Sequence, residues 1–394
     1  MTIPRRKPYF HSGIIFKFIR FLGNKNKNLE TKKLEQDLSD KLGIPNPVIV
    51  ESGRIGFYLI LKTSNLKKGS EIIMPSLTFG LMKNVIKKSG FKPVPVDSDI
   101  NSFQMSPLEV EKAINPKTGA ILATHIFGGA CDVGKLKTIS RKYNLLLIED
   151  CAESMGTTVG KELTGTIGDI GFSSFNVAKP LQGIYGGVVF GKDKKRTDLI
   201  RSIINDSAEA SKISIKEVVR SLGGVLLSRT IFWPALMYVT SLPKVQKMFV
   251  YYYRVAENKQ MIIRKMSPYL AFIVRANIPS FRKRIAQRQE VASSYVKKLS
   301  KYMAFQKNNA KSIANGYMVV ANFPGNTLKL RRYLALRGID IAVKDEVADD
   351  CLGRSGSNTK NLVNHLISLP VYESLKEGDI NRVCKSILSF VVKH

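Results

Sequence analysis

Hydrophobic positions first recur regularly between Gly13 and Leu22, where Ile14, Phe18, Phe21 and Leu22 fall on one side of a predicted helix. Lys17 and Arg20 fall away from the centre of that side. The stretch from Leu29 to Leu42 predicts a second, charged and amphipathic helix. Beyond it, short apolar runs alternate with helical text. Glu71-Ile72-Ile73-Met74 predicts a strand stopped by Pro75, Pro93–Asp97 a second, and Ala120–His125 a third. Leu145–Asp150 predicts a fourth, ending in two carboxylates, while Leu81–Ser89 and Val133–Tyr143 between them carry helical periodicity. Near-continuous apolar strands separated by helices predict a parallel or mixed sheet covered on both faces. Ligands of such sheets bind beyond the carboxyl ends of the strands, which is where Asp150 falls.

From Lys194 to about Met266 the alternation stops, and the text becomes helical, basic and in places very apolar. A compact α+β pattern then resumes. Ser280–Tyr302 predicts a long helix with Ile285, Val291, Ala292, Tyr295 and Leu299 as its apolar positions. A strand is expected at Tyr317–Ala321 and a last helix at Gly378–Val391. The chain thus divides into a basic arm (1–27), a large domain (28–195), a helical insert (196–265) and a smaller C-terminal domain (266–394).

Charge changes this picture more than composition does. Against 31 Asp and Glu stand 62 Lys and Arg, a net +31, which favours anionic partners: nucleotides, nucleic acid or an acidic membrane surface. No nucleic-acid recognition motif accompanies the charge. The four cysteines form no Cys-x-x-Cys pair and the four histidines are scattered, so neither a disulfide framework nor a metal centre is expected. Reduced thiols, and an apolar N-terminal stretch interrupted by Lys17 and Arg20, point to a cytoplasmic protein without a signal peptide. Leu222 to Leu242 carries a single charge, Arg229, and holds the only tryptophan, Trp233. Arg229 and Pro234 oppose a membrane span, so this segment and the arm are expected either at the surface of an anionic membrane or packed on the catalytic domain or a dimer partner.

The richest chemistry lies in Gly168-Asp169-Ile170-Gly171-Phe172-Ser173-Ser174-Phe175-Asn176-Val177-Ala178-Lys179, followed by Gly183 and Gly186-Gly187. A lysine after an apolar segment is ordinarily a solvated surface residue. Here a strand-end carboxylate, Asp150, lies upstream, a hydroxyl, Ser174, lies five positions before it, and glycines follow. With Ser52-Gly53-Arg54, Pro75–Phe79, Asp97–Phe103, Pro116-Lys117-Thr118, His125–Gly128, Ile148–Glu153 and Ser368-Leu369-Pro370, in this order, the chain resembles the DegT/DnrJ/EryC1/StrS family of sugar aminotransferases.

The resemblance implies an α/β protein of the pyridoxal-phosphate (PLP) transferase fold type I: a large domain with a mixed, mostly parallel sheet between helices, and a small α+β domain. It implies Lys179 as the residue that carries PLP as a Schiff base and shuttles protons, since lysine supplies a primary amine on a long reach. Asp150 takes the pyridine nitrogen, because a buried carboxylate keeps that nitrogen protonated and the ring an electron sink. Gly53 and Arg54 open a helix whose N-terminus faces the phosphate, with the Ser174 hydroxyl adding a bond; the Arg54 side chain is left to phosphate or solvent. Phe79 stacks on the ring, and Glu153 falls near the ring hydroxyl, where the family often has Gln or His. His125 matches a frequent family position and equally suits a satisfied core histidine. The implied partners are a nucleotide-sugar substrate, an amino-acid donor such as glutamate, and a second copy of the chain in a homodimer. One departure stands out. Where the family lends an Asn-x-Arg-Met asparagine to the neighbouring subunit's phosphate, this chain reads Ile263-Arg264-Lys265-Met266, leaving Arg264 or Lys265 to compensate. A dehydrating relative is disfavoured by Lys179, which histidine replaces in that branch; a non-catalytic protein on the same fold is the other alternative.

Overall fold

The computed structural model describes residues 2–7, 9, 13–26, 29–207, 245, 248, 261–354 and 356–393. Seven strands form the main sheet: β1 (Val48–Val50), β2 (Glu71–Pro75), β3 (Lys92–Val96), β4 (Thr118–Thr124), β5 (Leu146–Asp150), β6 (Ile170–Ser174) and β7 (Gly187–Phe190). Their order is β1-β7-β6-β5-β4-β2-β3. Strands β2 to β6 pair in parallel, whereas β7 runs antiparallel to both of its neighbours. Pro93 and Pro95 sit in β3, the edge strand, where a missing N–H interrupts no second ladder. Along β5, Leu147 and Ile148 are both buried but belong to different hydrophobic clusters, so both faces of the sheet are covered, as the apolar runs predict.

A second, antiparallel sheet of four strands (Ala304–Phe305, Val319–Asn322, Leu366–Leu369 and Ala342–Val343, in that order) builds the small domain. The helix Phe281–Leu299 joins the two bodies. Phe281 packs in a large-domain cluster, and Tyr295 and Leu299 pack in the small-domain core.

The arm ties the two domains together. Ile3 bridges to Ile339, and Arg5 pairs with Asp340 at 3.4 Å and Glu346 at 3.0 Å, all in the small domain. The Tyr9 amide then donates to Gln182 Oε1 of the large domain at 2.7 Å. The helix Ile14–Leu22 follows. Of the two fates expected for its apolar side, the structure shows packing on the protein: Ile14, Phe18 and Phe21 are buried, and Phe21 stacks on Phe272 of the helix Pro268–Asn277 with centroids 4.4 Å apart.

The boundary expected at 195/196 falls inside a helix, Lys194–Asp206, whose Ile200 and Ile204 are buried in the same cluster as Val48 of β1. The Ser207 hydroxyl donates to Ile263 O at 2.8 Å, so the chain returns close to where it leaves. Leu222–Leu242, with Arg229, Trp233 and Pro234, lies outside the described residues. No described helix is long and apolar enough to cross a membrane.

The buried stack gives a direct test of how the arm is held. Phe21→Ala removes a well-packed aromatic and is expected to weaken docking of the first helix by about 3 kcal/mol. Limited proteolysis should then cut the variant between residues 13 and 26 faster than the parent; equal rates would mean that this face contributes little.

Candidate active site

The site begins where three stretches of backbone meet. Ser52, in extended conformation, caps the helix Gly53–Lys62, its Oγ accepting the Ile55 amide at 3.3 Å. Apolar Phe57, Leu59 and Ile60 bury the helix against the sheet and so fix where its N-terminus lies. Ser174, at the end of β6, pairs with Gly187 of β7, and Ser52 bridges to Gly186. The approach leaves no room for side chains: a Cβ on Gly187 would lie 2.5 Å from Gly53 N and 2.6 Å from Ser52 C. Gly186 has φ +130°, which disfavours any other residue there. Gly53 and Arg54 thus open the helix as expected, with Arg54 half-buried in its first turn. Ser174 Oγ lies 3.5 Å from Gly186 O, a long contact that leaves the hydroxyl available.

Asp150 ends β5 and is nearly out of water, with Oδ1 accepting the Ala152 amide at 2.9 Å. Burial pushes its pKa up to about 6, against the opposing pull of that amide and of the Lys179 charge. Its neighbour Glu149 is a structural hub. Glu149 accepts the amides of Gly165 and Ile167 at 2.8 Å and that of Gly168, and it faces His125 Nε2 at 2.9 Å. The Cys131 amide donates to His125 Nδ1, which puts the ring proton on Nε2. His125 is therefore a satisfied core histidine, the second of its two expected readings. Ligand atoms of His125, Glu149 and Cys151 lie within 4.8 Å of one another, but hydrogen bonds already occupy the Glu149 oxygens.

Lys179 lies in the turn after β6, its amide donating to Asn176 O at 2.9 Å. Its Nζ is 3.2 Å from Glu153 Oε1. Glu153 Oε2 in turn accepts the Phe127 amide at 2.8 Å, and Phe127 holds a left-handed backbone (φ +63°) that costs a non-glycine residue of order 1 kcal/mol. Burial works against the Lys179 charge, but the facing Tyr317, Glu153 and Asp150 outweigh it, and the amine is held above its ordinary range. Glu153, expected near a cofactor hydroxyl, thus meets the lysine itself.

Phe79 follows a short strand, Leu77–Thr78, at the carboxyl end of β2, the same sheet edge as Asp150, and is 40% exposed. Arg264 Nη1 lies 3.9 Å from Glu51 Oε1, beside Ser52 of its own chain. Two further residues at the site were not singled out from the sequence. Tyr317 lies under the lysine, with 5.7 Å from Nζ to the ring centroid, and Arg6 Nη1 donates to the Tyr317 hydroxyl at 3.1 Å. The available signals were an arm without acidic residues and a tyrosine opening a predicted strand.

GDP-perosamine synthase of Escherichia coli O157:H7 is 33% identical over 194 residues, covering 49% of this chain and 52% of the relative. A dTDP-3-amino-3,6-dideoxy-alpha-D-galactopyranose transaminase from Aneurinibacillus thermoaerophilus is 30% identical over 206 residues, covering 48% and 57%. The chain spans about half the length of the curated relatives it matches. In fold it resembles Helicobacter pylori PseC, an aminotransferase involved in the biosynthesis of pseudoaminic acid, with a TM-score of 0.79 at 15% identity over the whole of both chains. Residues 23–388 match the family profile, and the chain belongs to the DegT/DnrJ/EryC1/StrS aminotransferase family.

Proposed function

We propose that this chain is a PLP-dependent aminotransferase, transferring an amino group from an amino acid, glutamate foremost, to a keto group of a nucleotide-linked sugar. The observation that carries this reading is a half-buried lysine, Lys179, whose charge acts on the buried strand-end carboxylate of Asp150, beside a backbone crossing at Gly186 and Gly187 that admits only glycine.

The residues fit the cofactor. A carboxyl whose pKa burial has raised is one that a cation stabilises, and a protonated ring nitrogen is such a cation. The first-turn amides of Gly53 and Arg54, with the Ser174 hydroxyl, would hold a phosphate without side-chain bulk. Phe79, partly exposed at the same edge, would cover the ring. When bound, PLP supplies the electron sink for labilising a bond at the amino-bearing carbon. Lys179 Nζ is the attachment point, and must lose a proton before it reacts; Glu153 Oε1, 3.2 Å away, is the acceptor in hydrogen-bond reach. Lys179 then carries protons at the reacting carbons, a role that its reach allows.

The names of the matched relatives support a nucleotide sugar as acceptor, and the net +31 suits a diphosphate. A homodimer is part of this reading, with Arg264 beside the cradle of its own chain. So is peripheral contact with anionic membrane at the cytoplasmic face, now on the outer side of the first helix, where Phe16 and Ile19 stay exposed on the helix that carries Lys17 and Arg20. Flotation with anionic liposomes should carry the parent and leave Phe16→Ser/Ile19→Ser behind; a parent that stays in the soluble fraction at low salt removes the membrane from the reading.

Lys179→Ala should fold normally, lose the visible PLP band on dialysis and drop in turnover by about 1,000-fold or more. Retention of both band and turnover would defeat the assignment.

The Asp150 carboxyl is charged above about pH 6 and neutral below it, so its attraction for a cationic ring is lost as the pH falls through that value. Asp150→Asn should bind PLP more weakly than the parent at pH 7.5, and the ratio of their affinities should shrink towards one by pH 5. A ratio that does not change with pH would mean that another group meets the ring nitrogen.

A further inference from the structure

Two buried arginines stand beside this site without a role in it. Arg284 and Arg288 lie one turn apart on the helix Phe281–Leu299 and are 2% and 5% exposed. Their shared acidic partner is Glu373, whose Oε1 lies 2.6 Å from Arg288 Nη2 and 3.6 Å from Arg284 Nη1. Among the described residues, Arg284 Nε, Nη1 and Nη2 and Arg288 Nε are buried without a hydrogen-bond acceptor. The Arg284 guanidinium lies 4.5 Å from the centre of the Tyr9 ring, which offsets part of this deficit. Burial pushes its pKa down to about 10, so it stays charged at neutral pH.

Positive charge accumulates further on the other side of a small hollow. About 60 Å³ of space lies between Arg288, Arg6, Lys7, Gln182, Ala178 and Tyr317. Ala178 precedes Lys179, and Tyr317 lies under the lysine amine, so the hollow borders the reacting centre. Three cations, Arg6, Lys7 and Arg288, line it, and the buried Arg288 shares its one carboxylate with Arg284, which leaves a deficit of negative charge there. Groups so placed favour an anion that brings its own acceptor oxygens. The space corresponds to about two water molecules, which suits one carboxylate and excludes a diphosphate.

We propose that Arg288, with Arg6 and Lys7, forms a subsite for the second carboxylate of a dicarboxylate amino donor, with Arg284 as the positioning residue behind it. The proposal rests on the aminotransferase reading and adds what that reading lacks, a physical basis for choosing the donor. Glu373 is the internal competitor: it neutralises part of the charge that the donor would meet.

The test uses the full chain loaded with PLP. Initial rates are measured with glutamate and with alanine, which lacks the second carboxylate, and the visible band is titrated with succinate and with inorganic phosphate. Arg288→Gln should raise KM for glutamate at least tenfold, leave KM for alanine unmoved and abolish the spectral response to succinate. Glu373→Gln should act in the opposite sense, lowering KM for glutamate several-fold, which a merely structural cluster would not produce. Arg288→Lys keeps the charge and should fall between the parent and Arg288→Gln, which covers the case in which the glutamine variant fails to fold. Equal loss for glutamate and alanine, or a rise in KM with Glu373→Gln, overturns the proposal. So does a response to phosphate as strong as that to succinate, since the hollow would then be a general anion site. If the parent binds PLP yet transaminates with no donor, the aminotransferase reading fails separately. The succinate response, present in the parent and lost in Arg288→Gln, still reports on the subsite.

Discussion

A carboxylate taken out of water at the end of a central strand is unfavourable until positive charge comes near it. The surroundings of Asp150 are organised around that fact. β5 must run through the middle of the sheet for its end to be dry, and β4 and β6 must flank it in parallel for the Asp150 backbone to be satisfied. Lys179 supplies one opposing charge within the chain. That charge is itself held by Glu153, and Glu153 is held by an amide whose backbone has been turned into the left-handed region. The result is a chain of charges, each stabilised by the next, in which a local distortion at Phe127 fixes the position of the lysine.

The same logic explains the glycines. A phosphate-sized anion can approach a helix N-terminus only if neighbouring backbone leaves the amides uncovered. Gly187 does this by letting two backbone segments pass at a distance that no Cβ allows, and at Gly53 a Cβ would have only 3.2 Å to Ser173 O and Ser174 Cβ. The antiparallel return of β7 is the topological counterpart: it brings Gly186 and Gly187 back past Ser52.

Local pattern made the strands and most helices legible, because each rests on periodicity, and it put Asp150 at a strand end. The helix Lys194–Asp206 was harder. Its Lys194, Lys195, Arg196 and Arg201 read as the start of a basic insert and hid the buried Ile200 and Ile204. Pro268–Asn277 stands next to the small domain in the chain, and its apolar side packs in the cluster that also holds Phe175 and Val188. Tyr317 and Arg6 escaped for a different reason. They meet Lys179 and each other only through tertiary structure, across 311 positions in the case of Arg6 and Tyr317, and no spacing rule reaches that far. Glu153 was visible as a residue, but its partner was not, since its bond to Lys179 depends on how two loops close over one strand edge.

The described residues of the arm act mechanically as a tether. Ile3 and Arg5 are fastened to the small domain and Tyr9 to the large one, with Arg6 lying over Tyr317 in between. Rotation of one domain against the other therefore has to strain or release these contacts. The arm is thus one of several links between the domains, and one that also reaches the surroundings of the lysine through Arg6 and Tyr317.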